Sequence, residues 1–221
     1  MPQDPLEQFA GNSAINAEIH NILSSFPEPS RSRMRKKIRQ DKATLDRLGT
    51  DQADESARHT FREFLVARQL NSTGFCLEYN KRVNGQTPDW YDEQNTILLE
   101  IFTCERGGRS SPVQRVASKL AEKARKYRAL VKDESLHFVI AVYADFLIWF
   151  DADDCKEAIA DDHLFERYPE VSGVILFGET NIVQEKQTDG SMASKQLYGY
   201  SYFANTNGTR KIDLSMNLRG G

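Results

Sequence analysis

Glu100 stands inside Ile97-Leu98-Leu99-Glu100-Ile101-Phe102-Thr103, a nearly continuous apolar run of the kind expected for a strand covered on both faces. An ionised carboxylate in such a strand costs several kcal/mol unless it is paired, hydrogen-bonded or bound to a metal. Period-two alternation puts Glu100 on the side of Leu98 and Phe102, with Leu99 and Ile101 facing away. Asp89 precedes it with ten residues between them, where a neighbouring strand could bring the two acids together. Two close carboxylates repel, and a hard divalent cation such as magnesium relieves that repulsion through oxygen ligands. Both residue types also serve structure, the aspartate as a cap or turn residue and the glutamate as partner of an arginine. Taken singly, each has more structural uses than catalytic ones.

The elements that must position these acids can be read from the same stretch. Phe75 to Val83 and Gln86 to Tyr91 read as strands joined at Asn84-Gly85, which supplies the positive φ angles of a type I′ turn. The glutamate-bearing strand follows. Ser111-Pro112 then starts a helix whose apolar positions are Val113, Val116, Leu120, Ala124, Tyr127 and Leu130. Upstream, Asp51 to Leu70 reads as a helix, preceded by a basic helix to about Leu48. Before that, Leu6, Phe9, Ile15, Ile19 and Leu23 mark a helix that stops at Phe26-Pro-Glu-Pro-Ser30. Phe138 to Tyr143 and Val171 to Phe177 are further strands, separated by an acidic stretch containing a short helix. Hairpin strands ahead of a crossover helix predict a mixed sheet rather than a parallel one.

Thr87-Pro88-Asp89-Trp90, then Ile97 to Phe102, then a long helix, resembles the PD-(D/E)XK nuclease superfamily, over about Asp51 to Phe177. The resemblance implies an α/β restriction-endonuclease-like fold, a mixed β-sheet flanked by helices. Residues 1–50 would form a helical N-terminal extension, 51–180 the core, and 181–221 a C-terminal loop and strand extension. It further implies a metal-dependent deoxyribonuclease that holds Mg2+ or Mn2+ through Asp89, Glu100 and the backbone of Ile101. Glu63, in the preceding helix, matches an additional glutamate of some members; an exposed helix acid explains it equally well. The family pattern expects a lysine at Phe102, and phenylalanine can neither activate water nor offset charge at a phosphate. Members that lack this lysine often draw one from the following helix, where Lys119, Lys123 and Lys126 lie. Lys123 and Tyr127 share a helical face and resemble a QxxxY motif with lysine in place of glutamine. Lys123 is therefore the favoured catalytic substitute and Lys119 the next.

The net charge of -3 gives no sign of an anionic partner, but its distribution does. Arg31 to Arg47 carries +6 and Glu105 to Lys132 carries +7, leaving -16 on the remainder. Arg106, Arg109, Arg115, Lys119 and Lys126, with the amides of the helix start, are candidate phosphate contacts. Such contacts imply DNA as partner, with RNA left open, and carry no base information. Solvated helix faces explain the same runs. A homodimer is compatible with enzymes of this fold that cut two strands.

Other chemistries find no support. No GxxxxGK[ST], GxSxG or HExxH segment occurs, and the four histidines do not pair with the three cysteines at zinc spacing. The apolar stretch Phe138 to Phe150 contains Asp145 and is too short for a membrane span, for which about 18 residues are needed. The cysteine usage and the polar start suit a soluble cytoplasmic protein. The main alternative to a nuclease is an inactive nuclease-fold protein that binds nucleic acid or a protein partner, with Phe102 marking the loss of chemistry. An unrelated α/β interaction protein is a third reading.

Overall fold

Among the described residues the break between the first two helices is Ser25 to Pro27, shorter than the expected Phe26 to Ser30, because Pro29 is accommodated in the first turn of the second helix. A computed structural model describes residues 13–48, 50–104, 110–144, 150–186 and 192–214. Leu6, Phe9, Arg106, Arg109 and Asp145 lie outside the described residues. Those described belong to two compact units, one ending at Phe102 and one beginning at Thr103. The protein is α/β, and among the described residues six strands form one mixed sheet ordered as in the chain.

In the first unit, α1 (Ser13–Ser24), α2 (Glu28–Leu48) and α3 (Thr50–Ser72) precede β1 (Leu77–Tyr79), β2 (Trp90–Asp92) and the start of β3 (Ile97–Cys104). Ile19, Ile22 and Leu23 on α1, Met34 and Ile38 on α2, and Phe64 and Leu65 on α3 are buried, following helical spacing in each case. Phe64, Tyr79 and Trp90 form an aromatic cluster with ring centroids 5.0 to 6.1 Å apart, and Phe26 joins it at 5.2 Å from Trp90. Offset and edge-on packing of this kind adds to the burial of each ring.

β1, β2 and β3 are antiparallel, with Tyr79 opposite Trp90 and Trp90 opposite Leu99. The hairpin tip agrees with the sequence: Val83 and Gln86 bridge, while Asn84 and Gly85 both have positive φ, 43° and 86°. The paired strands are much shorter than Phe75 to Val83 and Gln86 to Tyr91. Asn80 turns the chain at φ 47°, ending β1, and Pro88 has no amide to give to a ladder.

In the second unit, α4 (Pro112–Glu134) starts on a capping box in which Ser111 and Gln114 exchange backbone-to-side-chain hydrogen bonds. It buries Val116, Leu120, Ala124, Tyr127 and Leu130. β4 (His137–Ala144) is followed by α5 (Ala152–Asp161) and α6 (Leu164–Arg167), both from the acidic stretch. β5 (Val171–Lys186) runs parallel to β4, and β6 (Met192–Ala204) runs antiparallel to β5. β5 continues beyond Phe177, and the aromatic run Leu197 to Phe203 lies in its partner strand β6.

Candidate functional site

The β2–β3 register sets Asp89, one residue before Trp90, level with Glu100, one residue after Leu99. The pairing that results is reciprocal. The Asp89 amide donates to Glu100 Oε1 at 3.0 Å, and the Ile101 amide donates to Asp89 Oδ2 at 3.1 Å. Each acid is thus oriented by backbone belonging to the other acid or its neighbour. The Asp89 carbonyl in turn accepts from the Asn80 amide at 2.9 Å, so Asp89 is fixed from three directions. Glu100 is fully buried and Asp89 half-buried. Each carboxylate thus has at least one oxygen occupied by a backbone amide.

Glu63 is buried, at 6% exposure, which removes the solvated-acid reading. Its charge and that of Asp89 act on the same group, the buried hydroxyl of Tyr79. Burial first, then the carboxylates of Glu63, Asp89 and Asp41, push that phenol well above its ordinary pKa, opposed by a hydrogen bond with the Asn80 side chain. Tyr79 is therefore a neutral group among acids, with a proton to donate. Tyr79, Asp41, Ser30 and Arg33 were not singled out from the sequence. Ser30 Oγ accepts from the Tyr79 amide at 3.0 Å, and Arg33 Nε donates to the Tyr79 carbonyl. Asp41 accepts from Lys37 at 2.7 Å and from the Thr60 hydroxyl at 2.6 Å, tying α2 to α3. The only sequence sign of this network is the polar Ser30 and Asp41 at the helix positions that otherwise carry Met34 and Ile38.

Asp92 shows what a purely structural acid looks like in the same hairpin. It is fully buried and accepts from the Cys76 amide, the Asn95 amide and the Asn95 side chain at 2.8 to 3.0 Å. Asp89 and Glu100 face one another instead, all-oxygen ligands suited to a hard cation. Among the described residues, no three His, Cys, Asp or Glu side chains converge closely enough to hold an ion. Two carboxylates fit magnesium nonetheless, because that ion keeps most of its water and is often held by one or two carboxylates plus the substrate's phosphate.

Phe102 is buried on β3, so no lysine ends that strand. Lys119, Lys123 and Lys126 belong to α4 in the second unit. Lys123 is half-buried, whereas Lys119 and Lys126 are exposed. Lys119 pairs with Glu122 at 2.9 Å, and the Lys126 amine lies 4.5 Å from the Tyr127 ring centroid. The Glu122 carboxyl is held below its usual range by its hydrogen bond from Lys119 first, with the charges of Lys119, Lys123 and Lys126 adding to it. Arg115 turns back to donate to the Ser110 carbonyl. On α2, Arg31 and Arg35 pair with Glu28, Arg33 with Glu78 and Lys37 with Asp41, so half of that basic segment serves the fold, while Lys36 and Arg39 are exposed.

No family model, curated protein or solved structure matches this chain. Among the described residues, no helix is long and apolar enough to cross a membrane.

Proposed function

We propose that the protein is a metal-dependent nuclease with a variant PD-(D/E)XK site. The observation that carries this reading is the reciprocal pairing of Asp89 and Glu100 across β2 and β3. The two acids also satisfy backbone amides of the hairpin, but oxygen ligands brought together in this way are what a hard cation needs. Asp89, Glu100 and the Ile101 carbonyl would hold Mg2+ or Mn2+. When bound, the ion supplies charge neutralisation at a phosphate oxygen and acidifies water.

The chain's own residues supply the rest. Asp89 and Glu100 each accept a backbone amide, which orients the carboxylates ahead of an ion. Glu63, buried on α3, is assigned as the acceptor of a proton from water. Lys123 is assigned the role that Phe102 lacks, donating to the attacked phosphate. Arg106, Arg109, Arg115, Lys119 and Lys126 would grip flanking phosphates of DNA without reading bases. We assign the protein to the cytoplasm and regard a homodimer as the form that would cut both strands.

Phe102 favours one other reading, an inactive nuclease fold that binds nucleic acid or a protein partner. Incubation with plasmid, linear DNA, single-stranded DNA and RNA, with Mg2+ or Mn2+, separates the two. Cleavage that is abolished by EDTA and by Glu100→Gln supports the nuclease. Binding without cleavage of any substrate supports the alternative.

A further inference from the structure

The two edge strands of the sheet, β1 and β6, are finished differently. On β1 the outward backbone groups are taken by side chains. The Leu77 amide donates to Asn71 Oδ1 at 2.9 Å, the Tyr79 amide donates to Ser30 Oγ at 3.0 Å, and the Tyr79 carbonyl accepts from Arg33 Nε. On β6, among the described residues, the backbone of Gly199 to Ala204 has no hydrogen-bond partner outside β5.

Proteins usually blunt an open edge with charge, proline or a very short strand, because its free amides and carbonyls are a template for another strand. β6 has none of these safeguards. It is 13 residues long, its one charge is Lys195, and it contains no proline. Leu197 to Ala204 is uncharged and carries Tyr198, Tyr200, Tyr202 and Phe203, the composition of segments that pair readily as strands. All four rings are only half-buried. Tyr198 and Tyr200 stack on Phe177 of β5 with centroids 5.3 and 6.2 Å apart, and the Tyr202 hydroxyl donates to the Ile212 carbonyl at 2.7 Å.

The partner that this edge itself specifies is a second copy. Two identical antiparallel strands related by a two-fold axis set residues opposite one another symmetrically about a central residue, and Ser201 lies at the middle of the open edge. About that centre Ser201 meets its own counterpart, while Tyr200 meets Tyr202 and Gly199 meets Phe203 on either side. Aromatic cross-strand pairs of this kind stabilise a ladder. Lys195 falls beyond the end of the opposing strand, so no like charges face each other.

We infer that β6 pairs antiparallel with β6 of a second copy about a two-fold axis at Ser201, joining the two sheets into one. The capped β1 edge ends the assembly at the dimer. The inference is independent of the nuclease reading.

Sedimentation velocity of the full chain over about a hundredfold range of concentration tests it, with Ser201→Lys, Ser201→Glu and their equimolar mixture run alongside. The wild type forms a dimer and nothing larger. Each variant, with unchanged circular dichroism, dimerises at least about fivefold more weakly, because like charges then face each other at the axis. The mixture regains the dimer, since lysine then faces glutamate. Hydrogen exchange on the wild type gives a second reading that needs no substitution: the outward amides between Gly199 and Ala204 gain protection as the dimer forms. A wild type that stays monomeric or grows past the dimer, dimers as strong in both folded variants, a mixture no better than its components, or edge amides left unprotected in the dimer overturns the inference.

Discussion

The amide of Asp89 donates to the carboxylate of Glu100 at 3.0 Å, so the residue that contributes one acid of the site also orients the other. The return bond runs from the Ile101 amide, which is itself adjacent to Glu100, into the Asp89 carboxylate. Neither carboxylate therefore depends on a flexible side chain for its direction. The geometry is built into the β2–β3 register, where the Trp90 ring of β2 packs on the Tyr79 ring of β1 with centroids 5.0 Å apart.

Under the proposed nuclease function, substitution of Lys123 is the test that separates catalysis from binding. Removing one donor to charge that develops in the transition state typically costs about 10²- to 10³-fold, so Lys123→Met should lower the single-turnover cleavage rate by at least about 100-fold while leaving DNA affinity within a few fold. Lys119→Met and Lys126→Met should instead weaken affinity and flatten its salt dependence. Single-turnover kinetics and filter binding at several salt concentrations check this. An unaltered rate in Lys123→Met would remove that residue from the mechanism.

The parts of this picture legible in the sequence are those fixed by local pattern. The apolar run around Glu100 became the fully buried β3, Ser111-Pro112 began α4, and Asn84-Gly85 made the turn. Asp89 and Glu100 were expected to be neighbours, and they are. Contacts made across long sequence separations carried no such signal. Ser30 and Tyr79 meet across 49 residues, and Thr60 and Asp41 across 19, with hydroxyls that look like surface residues in the sequence. β5 outran its expected end because Thr180 to Lys186 lacks clean alternation, and its strand state depends on β6. Glu63 could not be placed from spacing, since only tertiary packing buries it.

Ser30 should matter out of proportion to its size. Its hydroxyl satisfies the Tyr79 amide in a buried setting. Ser30→Ala leaves that donor without a partner and should cost about 1 to 3 kcal/mol. Urea unfolding measures the loss, and Ser30→Thr should recover part of it.

Gly173 lies against the ring of Tyr202. A Cβ at this position would stand 2.5 Å from Tyr202 Cε2, while the Tyr202 hydroxyl donates to the Ile212 carbonyl at 2.7 Å and cannot retreat freely. Gly173→Ala should destabilise by about 1 to 3 kcal/mol, the usual range for overpacking. The double variant with Tyr202→Ala should show less than the sum of the two single losses by thermal unfolding.

His137 makes stability depend on pH. Burial first, and the charge of Arg210 second, hold its imidazole below its ordinary pKa. The unfolded chain takes up that proton near pH 6.5, at about the ordinary histidine value, and the native chain only at lower pH. Between those values the unfolded state binds more protons, so stability is intact above about pH 6.5 and falls as the pH drops through that window. Urea midpoints at pH 7.5 and pH 5.5 should therefore differ more for the wild type than for His137→Gln.

Calorimetric titration of Mn2+ into the wild type, Asp89→Asn and Glu100→Gln reads the proposed ion site itself. Glutamine at position 100 retains an acceptor for the Asp89 amide, so the fold is preserved while the charge is lost. The wild type should bind Mn2+ in competition with Mg2+, and each variant should lose at least about tenfold in affinity, equivalent to about 1.4 kcal/mol. Equal binding by all three proteins, or no binding by the folded wild type, would contradict an ion site at Asp89 and Glu100.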